Sequence, residues 1–205
     1  MNIYHTHIQN MLYALMKDMQ IGTLLSGLED YDPDTYRHSV NVAYYSALIS
    51  LTDTGTCSKS LLTAALLHDI GKQFLDIRTL NKKGRLSDAE YFYIKSHAAF
   101  SYQILHHLNF PMEICLAAGQ HHERLDGSGY PWGLTEDFIV PPARIISISD
   151  VFDAICSERA YKPANTLSDA FEVLQAAEHF DTHYVDVLFS CFYKQEGKVP
   201  SPMFL

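Results

Sequence analysis

Lys59–Gly71, "KSLLTAALLHDIG", decides the fold class. Six apolar residues from Leu61 to Leu67 crowd one short segment. Ser58 stands ahead as a ready N-cap and Gly71 closes it, so the stretch reads as a buried helix. Its end is odd: His68-Asp69 follows "LLTAALL" directly. An ionised carboxylate there is costly unless it is paired or bound to a cation. A helix-end cap is the plainer role for Asp69.

Working outward, the helical period recurs along the chain. In Pro33–Leu51, Val40, Ala43, Ala47, Leu48 and Leu51 fall at helical spacing, with Pro33 in a plausible first turn. Ser87 with Glu90 is a capping box opening a helix that carries Ile94, His97, Ile104, Leu105 and Leu108. Asn109 and Pro111 separate it from "MEICLAAGQHHE" (Met112–Glu123), and Pro141-Pro142 start "ARIISISDVFDAICS". Two amphipathic segments follow, near Ser168–His179 and Thr182–Gln195. "RIISIS" alternates briefly, but its proline start and its continuation favour helix. The expectation is an all-α protein, a single helical bundle with short connections. Residues 1–30 form an N-terminal helical extension packed on a core domain of residues 31–205.

Composition narrows the function classes. The 205 residues suit one domain, and 47% hydrophobic content supplies a full core. A formal charge of −9 argues against a nucleic-acid polymer or an anionic membrane as partner, but not against a small anion held by local cations. Cys57, Cys115, Cys156 and Cys191 form no C-x-x-C and read as buried, reduced thiols. No basic leader and no apolar run of about 18 residues is present, so a cytoplasmic location is expected.

Eleven histidines in one modest domain ask where they sit. His38, His68-Asp69, His97, His121-His122 and Asp150 fall one or two to a helix, spaced by about a helix and its return loop. Helices so related can present inward groups to a common point, as in the di-metal sites of bundles. Asp150 follows apolar "ARIISIS" much as Asp69 follows "LLTAALL"; pairing with Arg144 is its plainer role. His121 and His122 point about 100° apart if helical, so one narrow stripe does not hold both, and a pair of metal ions is one partner that would. Taken singly, a histidine such as His97 is more often a packing or surface residue. His5, His7, His106, His107, His179 and His183 lack an apolar-plus-carboxylate setting and are assigned to surface or packing. Imidazole-rich ligation with two carboxylates suits Fe, Mn, Zn or Ni more than Mg or Ca.

"HSVNVA", "LLHDIGK", "IKSH", "HHERLDGSGYP" and "RIISISDVFDAICSERAYKP", in this order, resemble the HD-GYP branch of the HD phosphohydrolase superfamily from about Asp32 to about Val185. The resemblance implies a helical, metal-dependent phosphodiesterase that opens cyclic di-GMP to linear pGpG, and in many members on to GMP, by a metal-activated hydroxide. It implies two divalent metal ions, iron or manganese foremost and zinc or nickel next. Their ligands would be His38, His68, Asp69, His97, His121, His122 and Asp150, with Asp69 bridging. Lys72 would lie by the scissile phosphate, making Asp69 and Lys72 the catalytic pair. Arg159 and Lys162 would hold the phosphates of the dinucleotide, and Gly129, Tyr130 and Pro131 would line the cleft.

Asp34 stands where some members carry a third-metal glutamate, one methylene shorter; it serves a third ion, an outer partner or the helix dipole, and a two-metal site is favoured. A homodimer and docking onto cyclase domains are partners this resemblance allows. The competing readings are a phosphohydrolase of another cyclic dinucleotide or nucleotide, a non-catalytic module that binds cyclic di-GMP or docks, and a purely structural bundle.

Overall fold

The computed structural model describes residues 4–157 and 166–193. Among them lie α1 (His5–Met16), α2 (Met19–Tyr31), α3 (Pro33–Thr54), α4 (Lys59–Leu67), α5 (Ile77–Leu80), α6 (Asp88–His107), α7 (Met112–Gly119), α8 (Pro141–Cys156), α9 (Leu167–Ala176) and α10 (Thr182–Tyr193). Short 3-10 turns occupy Ile70–Phe74 and Glu136–Phe138. Strand-like pairing among the described residues is limited to one bridge, Asp126 to Thr135. The all-α expectation therefore holds. No described helix is long and apolar enough to cross a membrane.

Helix α3 is the axis. Asp32 caps its first turn, accepting from the Asp34 amide and the Thr35 hydroxyl, and Gly55 ends it in the left-handed region at φ 74°. The spacing of Val40, Ala43, Ala47, Leu48 and Leu51 predicts one apolar stripe, yet every residue from Val42 to Ile49 is buried. The reason is tertiary: α1, α2, α4, α8 and α10 all pack against α3 and leave that stretch no solvent face. The N-terminal segment supplies two helices, divided at Asp18, which caps α2. Their buried faces are Ile8, Leu12 and Leu15, then Ile21, Leu25 and Leu28.

Helix α4 starts where the sequence places it, with the Ser58 hydroxyl accepting from the Leu61 amide. It ends earlier than expected, at Leu67 rather than near Gly71. His68 and Asp69 turn the chain, and the following 3-10 turn lies against α6. Gly71 makes this contact possible. A Cβ there would sit 2.1 Å from the His97 carbonyl oxygen and 2.6 Å from the Ser101 amide nitrogen. Its own amide donates to the Ser101 hydroxyl at 3.0 Å. The turn after His68-Asp69 thus lies directly on the stretch of α6 that carries His97.

A methyl group at that contact must push two backbones apart. Gly71→Ala should cost roughly 2 kcal/mol or more and lower the melting temperature by about 5 °C or more. Thermal unfolding followed by circular dichroism checks this, and a melt within a degree of wild type would refute the close packing.

Candidate metal centre

Four helices and one loop deliver the site. His38 comes from the second turn of α3, His68 and Asp69 from the end of α4, His97 from the middle of α6, His121 and His122 from just past α7, and Asp150 from α8. His38, His68, Asp69, His97 and His121 are buried, Asp150 is at the edge of burial, and the His122 side chain keeps 17% exposure. Ligand-type atoms converge in three overlapping groups: His97 with His121 and His122, His38 with His68 and Asp150, and His68 with Asp69 and His121.

Each carboxylate faces two ways. Asp69 Oδ1 lies 3.2 Å from His97 Nε2 and 3.9 Å from His121 Nε2. Its Oδ2 lies 3.4 Å from His68 Nε2, 3.8 Å from His38 Nε2 and 2.5 Å from Lys72 Nζ. Asp150 Oδ1 lies 2.8 Å from His38 Nε2, and its Oδ2 lies 3.7 Å from His122 Nδ1. Asp69 therefore stands between two histidine pairs, and Asp150 between two single histidines.

The backbone decides which imidazole nitrogens face inward. His68, His97 and His121 each place Nδ1 on the carbonyl oxygen three residues back: Ala65 at 2.8 Å, Ile94 at 2.7 Å and Ala118 at 2.6 Å. A carbonyl only accepts, so each Nδ1 carries a proton and donates it. In the neutral ring, Nε2 is then a bare lone pair. His97 and His121 Nε2 stand 3.4 Å apart, and both face Asp69 Oδ1. His68 Nε2 and Asp69 Oδ1 are buried without a hydrogen-bond partner. Lone pairs converging on a carboxylate oxygen repel one another unless a cation lies between them, so the donor set fits divalent metal.

Charge follows the same arrangement. Burial, reinforced by neighbouring imidazoles, holds His121 and His122 well below the usual histidine range, which keeps them neutral donors. Burial alone would raise Asp69, but the Lys72 ammonium and adjacent imidazoles hold its carboxyl well below the ordinary value. Asp150 is likewise lowered, burial being outweighed by its hydrogen bond to His38.

The sequence reading overlooked three supporting side chains. Asp153 is 1% exposed and accepts from His38 Nδ1 at 2.6 Å and from Asn41 Nδ2 at 2.8 Å. The available signal was its position, one turn after Asp150 on the same face of α8. Gln120 and Glu123 bracket the histidine pair and are buried. Glu123 accepts from the Trp132 and Leu134 amides at 2.7 and 2.9 Å. Gln120 accepts from the Val140 amide and donates to the Phe138 carbonyl. Together they hold the loop between α7 and α8 from within. Gly129 lies so close to Glu123 and Arg124 that a Cβ would come within 2.4 Å of their backbone atoms.

Other sequence candidates fall as follows. The Tyr130 ring rests on His122, centroids 4.6 Å apart, with Gly129 and Pro131 on either side of it in the same loop. Lys72 is mostly buried against Asp69. Asp34 is half exposed and ion-paired with Arg37, outside the converging groups. Arg144 pairs with Glu136 and Asp181 rather than with Asp150. His5 meets the Tyr44 hydroxyl, and His183 meets Asp53. Arg159 and Lys162 lie outside the described residues.

A model of the HD domain family matches residues 25–184. The chain is 40% identical over 149 residues to 3′3′-cGAMP-specific phosphodiesterase 3 of Vibrio cholerae, covering 72% of this chain and 32% of that protein. It is 34% identical over 183 residues to a cyclic di-GMP phosphodiesterase of Thermotoga maritima, covering 84% and 47%. The HD domain of the phosphodiesterase PgpH of L. monocytogenes, solved with cyclic-di-AMP, superposes with a TM-score of 0.61 at 20% identity, over 86% of this chain and 98% of that one. That likeness is one of fold. The chain spans about a third to a half of the length of these two curated relatives.

His38 gives the centre a pH signature. Burial would lower it, but hydrogen bonds to Asp150 and Asp153 raise it to about 9 in the metal-free protein. The folded value exceeds the unfolded one, so this contribution to stability is complete below about pH 6.5 and disappears as pH rises toward 9. Nuclear magnetic resonance titration of the metal-free protein should show one imidazole titrating near 9. Asp153→Asn should bring it down by about one unit or more; a ring that titrates near 6.5 in both proteins would contradict the pairing.

Proposed function

Because this chain belongs to the HD domain family, we propose that its buried histidine–aspartate centre holds two divalent metal ions and hydrolyses a phosphodiester bond of a cyclic dinucleotide, with cyclic di-GMP as substrate and linear pGpG as first product. One observation carries the reading: the bare Nε2 atoms of His68, His97 and His121 converge on the two oxygens of Asp69, with one of those oxygens and one of those nitrogens buried and unpartnered. His38, His68 and Asp150 would hold one ion, and His97, His121 and His122 the other, with Asp69 shared. Iron and manganese suit this mixture of imidazole and carboxylate.

Divalent metal supplies Lewis acidity, lowering the pKa of water toward about 7 and drawing charge from phosphoryl oxygens. The chain's own residues do the rest. Three backbone carbonyls and Asp153 hold the Nδ1 protons, fixing the ring orientations. Lys72, 2.5 Å from Asp69 and 17% exposed, is a cation at the edge of the centre, placed to meet charge developing on a phosphate. Tyr130 covers His122 and narrows access on that side, keeping the reacting group away from bulk water. Arg159 and Lys162 are assigned to the substrate phosphates from their place in "SERAYKP".

A second reading keeps the chemistry and changes the base. The Vibrio cholerae relative at 40% identity is named for 3′3′-cGAMP, which favours that dinucleotide as the alternative substrate. A panel of cyclic di-GMP, 3′3′-cGAMP and cyclic di-AMP, tested with anaerobically purified protein loaded with Fe or Mn, separates the two. Failure to cleave any of the three would overturn the proposal.

Two further outcomes are expected. Replacing His68 and Asp69 together by Ala should lower turnover by more than about a hundredfold and deplete bound metal by elemental analysis while helicity is kept, a larger effect than loss of an outer partner. Asp153→Asn should weaken metal affinity by about 10- to 100-fold, measured by competition with a chelator, while His38 stays in place.

A further inference from the structure

One further cation stands near the centre. Lys95 lies on α6, two residues before His97, and is half-buried. Its ammonium stands 4.6 Å from the centroid of the Tyr91 ring and 4.8 Å from that of Tyr130. The contact with Tyr91 joins residues four apart on one helix and is ordinary. Lys17 on Tyr13 is another such pair. The contact with Tyr130 is different, because it reaches across to the loop whose tyrosine rests on His122, 4.6 Å between centroids, and flanks His97 at 6.4 Å. One aromatic ring therefore separates the Lys95 ammonium from the edge of the metal centre.

The surroundings leave this ammonium open to an anion. The chain carries 24 acids against 15 lysines and arginines, yet no carboxylate among the described residues pairs with Lys95. The other described cations beside the centre and its loop are occupied. Lys72 is tied to Asp69 and assigned to the phosphate being cleaved, and Arg124 donates to the Glu123 carbonyl and the Ser147 hydroxyl and lies over Phe180. Ring faces attract an ammonium but accept no full hydrogen bond from it, so Lys95 keeps donor capacity for an anionic oxygen. A metal-loaded centre would repel a cation this close, and an anion beside Lys95 would offset that repulsion.

Resting on the function proposed above, we infer that Lys95, held between Tyr91 and Tyr130, binds the phosphate of the cyclic dinucleotide that is not being cleaved. Such a substrate carries two phosphodiesters, and the metal centre engages one of them. The second must lie outside the centre, where the Tyr130 side of the rim offers Lys95. Its role is to bind and orient substrate, with no bond made or broken at the lysine.

The test compares a substrate with two phosphates against one with a single phosphate. Lys95→Met keeps the stem that packs between the rings and removes the charge. For the metal-loaded full chain, the ratio of kcat/KM for cyclic di-GMP to that for bis(p-nitrophenyl) phosphate should fall about tenfold, the worth of one charge-assisted hydrogen bond. The loss should appear in KM rather than kcat. Lys95→Arg should recover most of it. The wild-type KM for cyclic di-GMP should also rise more steeply with sodium chloride than that of Lys95→Met. An unchanged ratio, or an equal loss on both substrates from disturbance of Tyr130, would overturn the assignment while leaving the phosphodiesterase reading intact. A wild-type protein that cleaves bis(p-nitrophenyl) phosphate but no cyclic dinucleotide would remove that reading and this inference with it.

Discussion

Two carboxylates enclosed by imidazoles are the constraint on which this molecule depends. A buried ionised acid lacking partners costs several kcal/mol, and Asp69 and Asp150 bring four oxygens into the interior. Those oxygens, one pair of them carried by α8, are met from α3, the end of α4, α6 and the turn after α7. Each helix must therefore arrive at one rotation and one height. The enclosure of the middle of α3, from Val42 to Ile49, follows from the same demand. A helix that presents His38 to the centre while its other faces are apolar must be covered by neighbours, and five helices pack against it.

Main chain and side chain share the work of orienting the rings, in a division that follows chain direction. Three histidines use a carbonyl three residues earlier, a partner available wherever a helix or its last turn has just passed. His38 does otherwise, and the His122 Nδ1 faces Asp150. His38 sits in the second turn of α3 and uses Asp153 of α8, which also accepts from Asn41 and Ser157. The local partners make ring orientation a by-product of helix formation. The remote one joins the first half of the chain to the second through the centre itself.

Much of this was legible in the sequence, and what was missed has physical causes. Helix starts were readable because caps are local: Ser58, Pro33, Ser87 with Glu90, and Pro141 all act within a turn of themselves. The ligand-type residues stood out because His68-Asp69 and Asp150 end apolar runs that should contain no charge. The end of α4 was misjudged because the chain leaves the helix to press Gly71 on α6, and close backbone approach across the fold leaves no local mark. Asp153, Gln120 and Glu123 were passed over because a polar residue near a helix end is unremarkable until its partners are known. Their bonds reach residues as distant as His38 and Val140.

The clamping of the loop between α7 and α8 bears on how such a protein can diversify. Gln120 and Glu123 grip its backbone amides and a carbonyl, not its side chains. Outward positions such as Trp132 and Phe138 are exposed, and their side chains play no part in that grip. Drift at those positions can change the outer surface of the loop without touching the bonds that fix its backbone beside His121 and His122. A loop held in this way can vary on its outside while the histidine pair it adjoins stays where it is.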